Sequence, residues 1–166
     1  GSINGVYNIV CFSVAFLLVP LAAKIGAKKV HFFSLILGGI GMLALPYLND
    51  TDVLFAIPNP FGNGQLNVTH IYLLSFGLGI AWASMLAMPY KLLAGSIPST
   101  KTGVYMGIFN MFIVIPMIIQ IFSVQYFLYS LFGKSPINII LLAGTFLTLG
   151  GIFTLFIKDN KKTGKS

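Results

Sequence analysis

Residues 102–132 read TGVYMGIFNMFIVIPMIIQIFSVQYFLYSLF, thirty-one positions without a charged side chain. A hydrocarbon layer of ~30 Å is crossed by about 20 helical residues, so this run is long enough to span one with length to spare. Residues 3–23, 28–48, 71–97 and 136–157 are likewise long and apolar, with Lys28, Lys29 and Lys91 toward their ends as the only charges. The predicted fold class is therefore all-α: a polytopic helical membrane bundle with five transmembrane helices in one membrane domain, residues 1–166. The connection 49–70, rich in Asn, Gly and Pro, reads as a long loop, and residues 158–166 read as a polar tail.

The rest of the composition agrees. Of 166 residues, 57% are hydrophobic and 8% charged, and the mean hydropathy is +0.92. A soluble globule of this size has too little interior for so much apolar surface. All ten basic residues are Lys, the acids are Asp50, Asp52 and Asp159, and the net charge is +7. Because the spans separate the lysines, they make no contiguous basic face, which argues against nucleic acid as a partner. Cys11 is the single cysteine. It has no partner for an internal disulfide or a metal cluster, so no metal and no cofactor is expected. The first span lacks a basic leader and outruns the ~7 to 15-residue apolar core of a secretory signal, so it reads as a retained helix.

The lysines also orient the chain. Lys24, Lys28 and Lys29 lie between the first two spans, Lys91 and Lys101 flank the third and fourth, and Lys158, Lys161, Lys162 and Lys165 fill the tail. The other side carries Lys134. Nine against one is a strong positive-inside bias. It predicts a cytoplasmic C-terminus, an N-terminus outside and an external loop 49–70. An external start that enters a helix at once implies earlier spans. Seven of them would make a total of twelve.

Three stretches carry a family resemblance. The first turn, Ala23-Lys24-Ile25-Gly26-Ala27-Lys28-Lys29, resembles a worn copy of the loop signature of the major facilitator superfamily, with Ala23 in place of its acidic residue and Ala27 in place of one basic residue. Gly79-Ile80-Ala81-Trp82-Ala83-Ser84-Met85-Leu86-Ala87-Met88-Pro89-Tyr90, then Gly103-Val104-Tyr105-Met106-Gly107-Ile108-Phe109-Asn110 and Ile115-Pro116, is similar to helices 10 and 11 of sugar:cation symporters of the sucrose and maltose transporter type, the glycoside-pentoside-hexuronide group. Tyr7-Asn8 resembles the opening of helix 8 there. The resemblance covers essentially the whole chain as helices 8 to 12 of a twelve-helix fold, a numbering that agrees with the charge-derived topology. It implies a secondary transporter of the plasma membrane or bacterial inner membrane that moves a glycoside such as sucrose or maltose with a coupling cation, proton or sodium. Its partner would be the missing N-terminal half of the same polypeptide.

In that superfamily helices 8, 10 and 11 line the cavity, while 9 and 12 pack outside them. The resemblance thus directs attention to Asn8, Trp82, Asn110 and Gln120 as candidate substrate-binding residues. Trp82 lies about 11 residues, or ~17 Å, into its helix, away from the interfacial belt where membrane tryptophans collect. Its ring offers a flat face for a pyranose and an N–H for a hydroxyl, or it packs between helices. Asn110 shares a face with Gly103 and Gly107, a small-xxx-small seam that leads to an amide able to bind sugar hydroxyls or to bridge two helices. Gln120 lies ~80° around that helix from Asn110. Pro89 and Pro116, together with Gly103 and Gly107, are the candidate hinge or gating positions, although prolines also occur in membrane helices with no such duty. His31 and His70 sit at span ends and read as solvated or capping groups.

No Asp, Glu or Arg lies within a span. By the resemblance, the proton-coupling group would belong to the missing half. The absence of an assembled nucleophile, base or metal set argues against an enzyme. A carrier for another small solute and a non-transporting membrane scaffold subunit remain the alternatives.

Overall fold

Apolar runs of this length satisfy their own backbone hydrogen bonds by coiling. In the computed structural model, which describes residues 2–48, 53–59 and 62–158, the helices are α1 (Ser2–Ile25), α2 (Ala27–Ala44), α3 (Ile71–Ala94), α4 (Thr102–Ser123), a short α5 (Tyr129–Leu131) and α6 (Pro136–Thr154). A π-helical stretch, Val124–Leu128, joins α4 to α5, so Ser99–Leu131 runs as one span of 33 residues. With that span taken as one, five helices are long and apolar enough to cross a membrane. Gly1, Asp50, Asp52, Asp159, Lys161, Lys162 and Lys165 lie outside the described residues.

The all-α class fits, and the one correction concerns the connection read as a loop. The connection 49–70 is not irregular throughout but holds an antiparallel hairpin of β1 (Val53–Pro58) and β2 (Gln65–Thr69), with Phe55 opposite Val68, Ile57 opposite Leu66 and a bulge between Val53 and Phe55. Val53-Leu54-Phe55-Ala56-Ile57 is apolar but too short to span, and turn-forming residues follow it, which is the pattern of a strand. Gly64 takes φ of 95°, and its carbonyl accepts from the Asn59 N–H at 3.0 Å, closing the turn. β1 is exposed along its whole length, whereas Leu66 and Thr69 of β2 are buried.

The helices are assembled around α2. Ala27, His31, Ser34 and Gly38 recur at spacings of four, three and four, and all are buried. Gly38 meets α3, where an added Cβ would stand 2.6 Å from the Ala81 Cβ and 3.1 Å from the Gly77 carbonyl. One residue on, Gly39 meets α6, where an added Cβ would stand 2.9 Å from the Thr148 nitrogen and 3.0 Å from the Gly144 carbonyl. Gly79 of α3 admits α1 in the same way, at Val10 and the Tyr7 carbonyl. Small residues at each crossing let backbones come close enough for dispersion to hold them. The threonines of α6 return their hydroxyls to their own helix, Thr145 to Leu141, Thr148 to Gly144 and Thr154 to Gly151. They therefore leave no polar demand at the seam.

The apolar core lies where α1, α2 and α3 converge, around Leu18, Ala22, Ala27, Val30, Ala83 and Met88. A single residue, Gly26, turns α1 into α2 with φ of 95° and ψ of 139°, a conformation that belongs almost wholly to glycine. At the same end of the bundle, the Lys28 Nζ donates to the Ile157 carbonyl at 2.8 Å and ties down the turn that follows α6. The long span α4 to α5 stands apart, with no buried residue along it.

Gly39→Ala should lower the melting temperature of the purified protein in detergent, at a cost on the order of 1–3 kcal/mol from overpacking. Gly150→Ala, whose added Cβ meets nothing within 4 Å, should leave it unchanged or raise it slightly.

Candidate functional site

The periodicity of α3 divides it into three faces. Gly77, Ala81 and Ser84 turn toward α2, and Gly79 turns toward α1. The third face carries Trp82, Leu86 and Tyr90 at steps of four residues, which stack along one side of a helix. Trp82 is 42% exposed and Leu86 57% exposed, so this face is open.

α4 touches that face at its lower end. The Tyr90 hydroxyl donates to the Asn110 side-chain carbonyl, and the rings of Tyr90 and Phe109 meet edge to face with centroids 5.0 Å apart. Beyond this point the helices part, for residues 111–122 of α4 are all exposed. Trp82, two turns or ~12 Å up α3 from Tyr90, therefore overlooks an open cleft between α3 and α4. Asn110 sits at the base of the cleft as a bridge between helices, with its amide nitrogen still able to donate.

The other expected residues are not gathered there. Gln120 lies on the exposed upper part of α4, and Asn8 is exposed on α1. Gly103 and Gly107 have nothing within 4 Å of an added Cβ, so the small-residue seam expected to draw another helix close is vacant among the described residues. Aromatic and amide contacts at Phe109 and Asn110 dock α4 instead. Pro89 and Pro116 lie inside uninterrupted α3 and α4, and Pro20 inside α1. The helical hydrogen-bond pattern of the long span changes eight residues beyond Pro116, at the π turn Val124–Leu128. A wide turn of this kind opens the backbone without a proline.

His31 overturns its expectation. It is neither solvated nor capping but 7% exposed, and its Nδ1 shares a hydrogen bond of 2.9 Å with the Oγ of Ser84, which is wholly buried. Ser75, two and a half turns earlier on α3, is buried too. The helical stripe Ala27, His31, Ser34, Gly38 is the sequence signal that locates His31 on the packed face. His70 precedes α3 without making a side-chain cap, and its buried Nδ1 has no partner among the described residues.

Two cavities open at the end of the bundle that bears Lys24, Lys28 and Lys91. The larger, of about 770 Å³, is framed by the α1–α2 turn and the last turn of α3. The smaller, of about 290 Å³, is walled by His31, Pro89, Phe109 and Thr154 among others. Neither includes Trp82, Asn110, Gln120 or Asn8.

Ser84→Ala should destabilise the protein by about 1–3 kcal/mol, because the buried His31 ring loses its partner. Thermal melts of the single variants and of the double variant with His31→Phe should show a combined loss smaller than the sum. Compared with known proteins, the chain matches no family model, no curated protein and no solved structure.

Proposed function

We propose that the chain is one wall of a two-walled solute passage: the C-terminal part of a secondary carrier of major facilitator type that moves a glycoside together with a cation by alternating access. The observation that supports this most is the open cleft beside Trp82. A span of 33 residues with no buried position carries Asn110 and Gln120. Amides at membrane depth normally face a water-filled cavity or another helix, since hydrocarbon offers them no hydrogen bonds. An opposing bundle across this cleft would enclose Trp82 and Asn110, giving an aromatic platform and an amide, group types that hold a sugar. The resemblance of the third and fourth spans to sucrose and maltose symporters points to the same solute class.

In this proposal the lysine-rich end is cytoplasmic, the hairpin is external, and the membrane is the plasma membrane or bacterial inner membrane. Rocking of the two bundles about the midplane exposes the site to each side in turn.

Counterflow of a labelled disaccharide into liposomes containing the protein expressed from its complete reading frame tests this. Trp82→Ala should reduce uptake at least tenfold at unchanged expression, and Gly150→Ala should not. Full uptake in Trp82→Ala removes that residue from the site. Counterflow of a nucleoside or drug in place of every disaccharide would assign the carrier to another solute class, and a reading frame without further spans would leave a scaffold.

A further inference from the structure

We infer that the lysine-lined cleft between the α1–α2 turn and the end of α3 is a binding site for the phosphate headgroup of an anionic phospholipid. Lys24, Lys28 and Lys29 surround Gly26, and Lys91 reaches the same cleft from α3, more than sixty positions later in the chain. A sidedness rule for lysines accounts for their lying at one end of the bundle. It does not require lysines of separate helices to frame one cavity of about 770 Å³.

Among the described residues the local charge is uncompensated. No carboxylate occurs among the described residues, since Asp50, Asp52 and Asp159 all fall outside them. Lys28 uses one donor on the Ile157 carbonyl, and an ammonium has three. The backbone brings both poles to the cleft: α1 and α3 end there with their carbonyls, which favour the lysines, and α2 begins there with its amides. α2 opens at Ala27 with no side-chain cap and no acidic residue in its first turn, and its first intrahelical bond is from the Val30 N–H to the Gly26 carbonyl. The preceding amides therefore end at the cleft as donors, at the positive pole of the helix. Four lysines and the α2 amides give the cleft an excess of donors over the carbonyls and the Ser96 hydroxyl beside them, and a phosphate diester, whose two non-bridging oxygens share one negative charge, supplies the acceptors.

The setting selects the lipid over a free anion. This step rests on the reading that the five helices cross a membrane. The cleft then lies at the end of the spans, at headgroup level, with apolar surface for acyl chains just beyond it on Leu17, Leu21 and Ile25, all exposed. Basic pockets between helices at a membrane surface hold lipid headgroups in this manner, and each lysine adds attraction that salt screens.

The test is a binding titration of the intact protein, expressed from its complete reading frame and purified in neutral detergent. The ligands are phosphatidylglycerol, phosphatidylcholine and inorganic phosphate, and native mass spectrometry or the melting temperature gives the readout. At least tenfold preference for phosphatidylglycerol over phosphatidylcholine is expected, and inorganic phosphate at the same concentration should not compete. The triple variant Lys24→Ala, Lys29→Ala, Lys91→Ala should remove the preference. A charge-matched control, Lys101→Ala, Lys134→Ala, Lys158→Ala, should keep it. Should the triple variant fold poorly, Lys29→Ala alone, at an exposed side chain with no bond among the described residues, should still weaken the preference severalfold. Equal loss in both triple variants would reduce the effect to overall charge and overturn the site, and competition by inorganic phosphate would reassign it to small anions. Carbonate extraction from membranes separates the two levels of inference. Protein that stays in the pellet but shows no lipid preference overturns this site alone, and protein that is released overturns the spanning reading as well.

Discussion

How closely two backbones can approach limits everything in this bundle. Helices as apolar as these gain little by hiding from one another in hydrocarbon, so association depends on dispersion at short range and on the few polar links that bridge them. Gly38 and Gly39, adjacent in the chain, point about 100° apart on α2 and receive α3 and α6 respectively. One pair of missing side chains thus brings three helices together. Gly79 repeats the device for α1. The His31–Ser84 bond then sits beside a joint that glycine has already closed, with Ser84 wholly buried and His31 nearly so.

The spans were legible because their signal is absolute in kind. Twenty residues without charge need no partner to be identified, so the helices run close to the apolar segments. The hairpin was not legible as such, since β1 is five apolar residues and a proline in a connection whose Asn, Gly and Pro content advertises loop. Its strand character depends on pairing with Leu66, Asn67 and Val68, which is a long-range fact. His31 failed for a related reason. Position near the end of an apolar run suggests water, but a histidine's surroundings depend on which face its helix turns inward, and the small-residue stripe from Ala27 to Gly38 decides that.

The candidate site was legible in part. Trp82 and Asn110 stand out in sequence as polar-capable groups deep in apolar runs, and both border the cleft between α3 and α4. That Tyr90 holds Asn110, and that Gly103 and Gly107 face open space, could not be read from spacing. Both follow from how far α4 leans away from α3, a property of what packs between them.

The Lys28 link to Ile157 has a practical consequence for anyone mapping which way round the chain sits in a bilayer. Such mapping customarily moves or deletes basic residues and watches for inversion. Here one of those residues also ties a carbonyl three residues beyond the end of the final helix, 129 positions away. Deleting it confounds an address with a strut, and an altered accessibility pattern would report loosening of the terminus as readily as a flipped orientation.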